Sequence, residues 1–283
     1  MNSIEKVVEL LKKSDTAGHS SSALGETAPY SDKISSRQSK NHIDIDLKKL
    51  DELGFVTPDN TETVKAEEYR VIKRPILRNA FGKAAIPVER GNLVMISSSL
   101  PKEGKTYTAL NLAMLMAVER DTTVLLVDCD VVNPSLSRIL GVQEFAGMTD
   151  LLLDKNTHLS DVILNTNIPK LRVLPSGLPN PRSTELLSSE RMAALTDELS
   201  QRYPDRIIIF DSPPLLLANQ AAVLSQLMGQ IIIVVEAGNT PQNMIEESIR
   251  LLDDEKVIGL VLNKTSKPAG KNYYGAYYSS SSS

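Results

Sequence analysis

The chain has 283 residues, 41% of them hydrophobic, a formal net charge of −4 and one cysteine. That is enough chain for a sizeable core, and the acidic balance argues against a general nucleic-acid binder. The lone Cys129 excludes an internal disulfide and fits a reducing compartment. The longest apolar runs are broken by Asp211-Ser212-Pro213-Pro214 and by Glu236, so none approaches the roughly 18 residues of a membrane span.

In chain order, Ile4, Val7, Val8, Leu10 and Leu11 alternate with Glu5, Lys6, Glu9, Lys12 and Lys13. This marks a short amphipathic helix over 1–13, either a docking element or a frayed terminus, and not a signal peptide, because it has no apolar core. Residues 14–42, rich in Ser, Ala, Gly and Lys, read as a flexible linker. A folded domain is expected over 43–268, followed by a Tyr- and Ser-rich tail over 269–283. From Asn92 onward strand-like and helical runs alternate: strands at 93–98, 123–128, 171–174, 206–211, 230–235 and 256–262, and helices at 105–120, 183–201, 218–228 and 241–254. The expected fold is therefore α/β, a mostly parallel sheet with helices on both faces.

The most informative stretch is Ser97 to Thr106, which ends in Gly104-Lys105-Thr106 between an apolar run (Leu93 to Ile96) and an amphipathic segment (Ala109 to Val118). Strand, phosphate loop and helix in that order make a nucleotide site: backbone N–H groups and the helix N-terminus cradle phosphates, Lys105 reaches the β and γ oxygens, and Thr106 offers its hydroxyl to Mg²⁺. The candidate nucleotide contacts are Ser99, Pro101, Lys102, Glu103, Gly104, Lys105, Thr106 and Tyr107; Ser99 stands where the pattern has its first glycine. Two further strands end in acids, Asp128-Cys129-Asp130 and Asp211. At the carboxyl edge of a parallel sheet these converge with the loop. Thr106, Asp128 and Asp211 are the candidate magnesium ligands, with Lys105, Asp128 and Asp130 as catalytic groups. Taken singly, strand-end aspartates could instead cap the helices that follow. Cys129 between these acids has its pKa raised, so it reads as a packing residue. His19, His42 and His158 show no ligand spacing. Tyr273, Tyr274, Tyr277 and Tyr278 put four of eight tyrosines into the final 11 residues, against about 0.3 for an even spread. With no apolar partners they read as accessible hydroxyls, candidate phosphoacceptors.

Phosphate loop, paired strand-end aspartates, Asp211-Ser212-Pro213-Pro214 and the tyrosine cluster occur in the order found in the bacterial tyrosine kinases. The chain resembles that family over about 65–278, most closely its exosortase- and exopolysaccharide-associated autokinases, and Leu174-Pro175-Ser176-Gly177 with Glu185 to Ser189 extends the likeness. The resemblance implies a P-loop fold of the MinD and ParA kind. It further implies ATP with Mg²⁺, autophosphorylation of the tail, control of exopolysaccharide synthesis or export, and a cytoplasmic protein held peripherally at the inner membrane. Implied partners are an activating inner-membrane chain-length determinant, further copies in a ring, and a cognate tyrosine phosphatase. Ring assembly would use the helix carrying Glu67, Arg70 and Lys73, although local ion pairs on a face shared by 67, 70 and 74 explain these charges equally. Asn263 stands where related folds place an adenine-contacting amide, or is simply a turn residue. The arginine that many relatives carry after the second aspartate is missing from Asp130-Val131-Val132. The competing readings are a switch ATPase, whose second lysine would replace Leu100, and an adaptor with a purely structural nucleotide site.

Overall fold

A computed structural model of the chain describes residues 41–82, 84–202 and 205–266. The expected helix over 1–13, nearly all of the expected linker and the tail tyrosines Tyr273, Tyr274, Tyr277 and Tyr278 lie outside the described residues.

Eight strands form one sheet: β1 (His42–Ile43), β2 (Leu93–Ser98), β3 (Thr123–Asp128), β4 (Leu164–Thr166), β5 (Leu171–Leu174), β6 (Arg206–Asp211), β7 (Gln230–Glu236) and β8 (Val257–Asn263). Their order is β1-β4-β5-β3-β6-β2-β7-β8, and every pairing is parallel except β4 with β5. The helices are α1 (Leu47–Glu52), α2 (Val64–Ala80), α3 (Lys105–Ala117), α4 (Ser135–Leu140), α5 (Met148–Leu153), α6 (Leu159–Val162), α7 (Ser183–Leu186), α8 (Glu190–Arg202), α9 (Asn219–Gln226) and α10 (Gln242–Arg250).

The central strands are apolar on both sides because each side is covered. Along β2, Val94 and Ile96 join one core with α3 and α2, while Leu93 and Met95 join a second core with α8 and α9. Along β6, Ile207 and Ile209 face the first core, and Ile208 and Phe210 the second. This two-residue alternation fixes the register, since a one-residue slip would exchange the two faces.

Two expectations are corrected. The segment Ala109 to Val118 is not amphipathic in its surroundings: all of α3 is buried, because the segment before the phosphate loop covers its outer side. Phe55 packs on Tyr107 with ring centroids 4.7 Å apart, Val56 N–H donates to Asn111 Oδ1 at 2.6 Å, and Tyr69 and Ile76 of α2 complete the cover. The single helix expected over 183–201 is broken, because the Ser189 hydroxyl accepts from Met192 N–H at 3.3 Å and starts a new helix there.

Candidate functional site

The carboxyl ends of β2, β3 and β6 meet where Val127 and Asp128 pair with Phe210 and Asp211, and Ile96 with Asp211. The phosphate loop leaves β2 at Ser98 and enters α3 at Lys105. Gly104 caps α3 with φ +104°, a left-handed conformation that a side chain would strain. A Cβ at Gly104 would also collide with the Asn263 side-chain amide, which donates to Glu103 C=O at 2.8 Å. Asn263 thus braces the loop from the end of β8.

The loop is held from behind by side chains. The Ser97 hydroxyl donates to Pro213 C=O at 2.7 Å and the Ser98 hydroxyl to Leu100 C=O at 2.7 Å. Glu103 is 2% exposed and folds back: its Oε2 accepts from Leu100 N–H at 2.7 Å, and its Oε1 accepts from the Thr240 hydroxyl. Ser99, where a glycine is usual, turns its hydroxyl away from the loop to meet the Ser248 hydroxyl of α10 at 2.8 Å. That pairing explains why a side chain is tolerated there. Pro101 and Lys102 sit at the exposed apex, Lys102 with φ +69°.

At the centre, Lys105 Nζ lies 2.7 Å from Asp130 Oδ2 and 3.8 Å from Asp211 Oδ1. Burial depresses the Lys105 ammonium, but the carboxylates of Asp211, Asp130 and Asp128 outweigh it and raise the pKa to about 12. The lysine is therefore charged, as phosphate binding requires. Asp128 and Asp211 form a buried pair whose pKa values both rise, chiefly from loss of water. At Asp128 the neighbouring Asp211 charge adds to this and hydrogen bonds from Ser137 oppose it; at Asp211 the Lys105 charge and the Thr106 hydroxyl oppose it. Cys129, wholly buried between the acids, has its thiol pushed up by burial and by their charges, and is a packing residue.

The acids are not equivalent. Asp128 Oδ2 accepts from both Ser137 N–H (2.8 Å) and Ser137 Oγ (2.7 Å), and its Oδ1 accepts from Asp130 N–H at 3.2 Å, so this residue holds the β3–α4 loop in shape. Asp130 faces Lys105 and also accepts from Asn133 N–H at 3.1 Å. Asp211 has two buried oxygens with no well-formed hydrogen bond, the Thr106 hydroxyl and the Lys105 ammonium being the groups that oppose its charge. An orphaned carboxylate beside the Thr106 hydroxyl fits a hard cation that keeps several waters and shares the remaining ligands with phosphate oxygens. No convergence of three or more His, Cys, Asp or Glu side chains into a closed metal site occurs among the described residues.

Two expected residues are placed elsewhere. The Tyr107 side chain points to the preceding segment, its hydroxyl donating to Gly54 C=O and its ring under the Lys65 ammonium; only its backbone remains with the loop. Lys73 is buried in an ion pair with Glu119, whereas Glu67 pairs with Arg70 and Arg74 is exposed. Val132, after the paired aspartates, is 71% exposed. The supports Ser137, Thr240 and Ser248 escaped the sequence reading; only the short interval from Asp128 to the helix start at Ser135 hinted at the first.

Residues 95–254 match the sequence family described as "AAA domain". The chain is 31% identical over 218 residues to "Tyrosine-protein kinase YwqD" of Bacillus subtilis (strain 168), a match covering 76% of this chain and 88% of that one. It is 28% identical over 219 residues to "Tyrosine-protein kinase ptk" of Acinetobacter johnsonii, covering 77% of this chain but only 28% of that longer protein. Among solved structures, the chimerical protein CapA2B2 superposes with a TM-score of 0.64 at 26% identity, covering 83% of this chain and 99% of that one.

Proposed function

The chain belongs to the bacterial tyrosine-protein kinase family, and from that premise we propose that it is an ATP-dependent protein-tyrosine autokinase that phosphorylates Tyr273, Tyr274, Tyr277 and Tyr278. The observation that carries this reading is the buried Lys105 ammonium held between Asp130 and Asp211 at the phosphate loop. ATP would exchange those carboxylates for β- and γ-phosphate oxygens. Thr106 and Asp211 would hold Mg²⁺, which supplies charge neutralisation on the phosphates. The chain's own work is positioning: the braced loop fixes the phosphates, Lys105 offsets their charge, and Asp130, with Asp128 behind it, orients the tyrosine hydroxyl for in-line attack. An unperturbed phenol has a pKa near 10, so a nearby carboxylate to accept its proton is useful.

The same reading supplies a setting. The exposed Glu67 and Arg74 and the half-buried Arg70 on α2 would contact a neighbouring copy in a ring, with Lys73 bracing the helix from within. Among the described residues no helix is long and apolar enough to cross a membrane. An inner-membrane polysaccharide chain-length determinant would recruit and activate the chain at the cytoplasmic face, and a cognate phosphatase would reverse the modification, tuning exopolysaccharide export. A switch ATPase of the MinD or ParA kind is disfavoured by the relatives' identity as kinases.

The test is a mixing experiment. A Lys105→Ala chain with its tail intact is incubated with Mg·ATP and a chain truncated before Tyr273. Phosphotyrosine on the Lys105→Ala partner is expected, as transfer between copies. ATP hydrolysis by the truncated chain with no phosphotyrosine on either partner, even with a chain-length determinant added, would favour the switch reading.

A further inference from the structure

At the opposite end of β6 from Asp211 the fold gathers a second set of charges. A cavity of about 420 Å³ opens between the β4–β5 pair, the start of α6 and the end of α8, and its lining includes Arg172, Arg202, Arg206, His158, Asn165 and Glu198. Strand register sets two of these, since Asn165 and Arg172 are directly opposed in the antiparallel β4–β5 pair and both are exposed. Their side chains therefore rise together from one face of the sheet. Arg206, the first residue of β6, is only 8% exposed. Glu198 and Arg202, one turn apart on α8, pair at 2.6 Å.

The charges that line this cavity narrow its ligand. Its lining carries three guanidinium groups and a single carboxylate, Glu198, which engages Arg202. A phosphomonoester carries about −1.5 to −2 at neutral pH and presents three acceptor oxygens, and guanidinium forks bind such oxygens bidentately. The volume lies within the usual range for small-ligand sites and leaves room for the group that bears the phosphate. We propose that this pocket binds a phosphomonoester, as an anion site separate from the phosphate loop. Arg206 and Asp211 stand five residues apart on one strand, about 17 Å at 3.3 Å per residue, so the two sites open on opposite edges of the sheet and can be filled together. Two sources share this chemistry: a phosphotyrosine from the tail of another copy, which rests on the kinase reading, and a free sugar phosphate, which does not.

Calorimetric titration of the full chain with phenyl phosphate and with glucose 1-phosphate, in saturating Mg·ADP to fill the phosphate loop, tests the proposal. At least one ester is expected to bind in the presence of ADP. Arg172→Ala should weaken that binding roughly tenfold or more, and Arg172→Glu should remove it, with thermal midpoints unchanged because Arg172 is exposed. Tighter phenyl phosphate binding supports the pocket with phosphotyrosine as its source; tighter glucose 1-phosphate binding supports it with a metabolite. The proposal is overturned if neither ester binds below about 10 mM, if binding ignores Arg172→Glu, or if ADP abolishes it. Should ADP itself fail to bind while ester binding stays sensitive to Arg172, the nucleotide reading falls and this pocket stands.

Discussion

Asp211→Asn should make the nucleotide-free protein more stable while removing its activity. Asp211 is wholly buried, its oxygens make no well-formed hydrogen bond and are opposed only by the Thr106 hydroxyl and the Lys105 ammonium, and with Asp128 and Asp130 it surrounds that single ammonium. Lys105 keeps its 2.7 Å partner Asp130 when Asp211 is neutralised, so the substitution removes an excess buried charge. The rise of the Asp211 pKa from 3.8 to about 6 corresponds to about 3 kcal/mol against the charged form, and the unmet hydrogen bonds of the new amide give back part of that. A gain of about 2 kcal/mol would raise the thermal midpoint by roughly 4–8 °C for a domain of this size. The sign depends on pH. Burial raises the folded-state pKa of Asp211 above its unfolded value, so the folded state binds the extra proton and stability is lost as pH rises from the unfolded value through the folded one. The advantage of Asp211→Asn is therefore expected at pH 8 and should vanish near pH 4. Paired thermal melts at the two pH values, with and without Mg·ATP, measure it; Mg·ATP should stabilise the native chain and not the variant. An Asp211→Asn protein less stable than the native chain at pH 8 would refute the picture of an orphaned acid kept for its ligand.

Gly104→Ala should cost about 1–3 kcal/mol from left-handed backbone strain together with the clash against Asn263; adding Asn263→Ala should recover the clash but not the strain, as judged by urea unfolding. Tyr107→Phe should lose about 1 kcal/mol of stability through the missing bond to Gly54 C=O, with ATP affinity unchanged in a fluorescent-nucleotide titration. Lys73→Ala should destabilise the chain by leaving α2 without its tie to Glu119. In sedimentation its assembly state should change less than that of Arg70→Ala.

Much of the site was legible because its signals are local. A strand, a phosphate loop and a helix announce themselves in consecutive residues, and Asp128 and Asp211 each close an apolar run. The core strands β2, β3, β5 and β6 fall at the expected residues for the same reason. What escaped is what distant parts of the chain do to one another. The outer side of α3 could not be read as buried, because its cover comes from Phe55 and α2, about 50 residues away for Phe55 and Tyr107. The strands β1 and β4 at one end of the sheet, two and three residues long, are too short to show a period. Ser248 and Thr240 support the loop from 149 and 137 residues away, and an isolated hydroxyl carries no sequence signal of such a partner. Lys73 looked like a surface charge in a motif; burial against Glu119 is a tertiary fact.

The most direct measurement is mass spectrometry of the C-terminal peptide after incubation of the purified chain with Mg·ATP, alone and with a candidate membrane activator, beside Lys105→Ala treated identically. Phosphate on one or more of Tyr273, Tyr274, Tyr277 and Tyr278 that is absent from Lys105→Ala is the predicted result. A tail left unmodified under every condition while ATP is consumed would contradict the account.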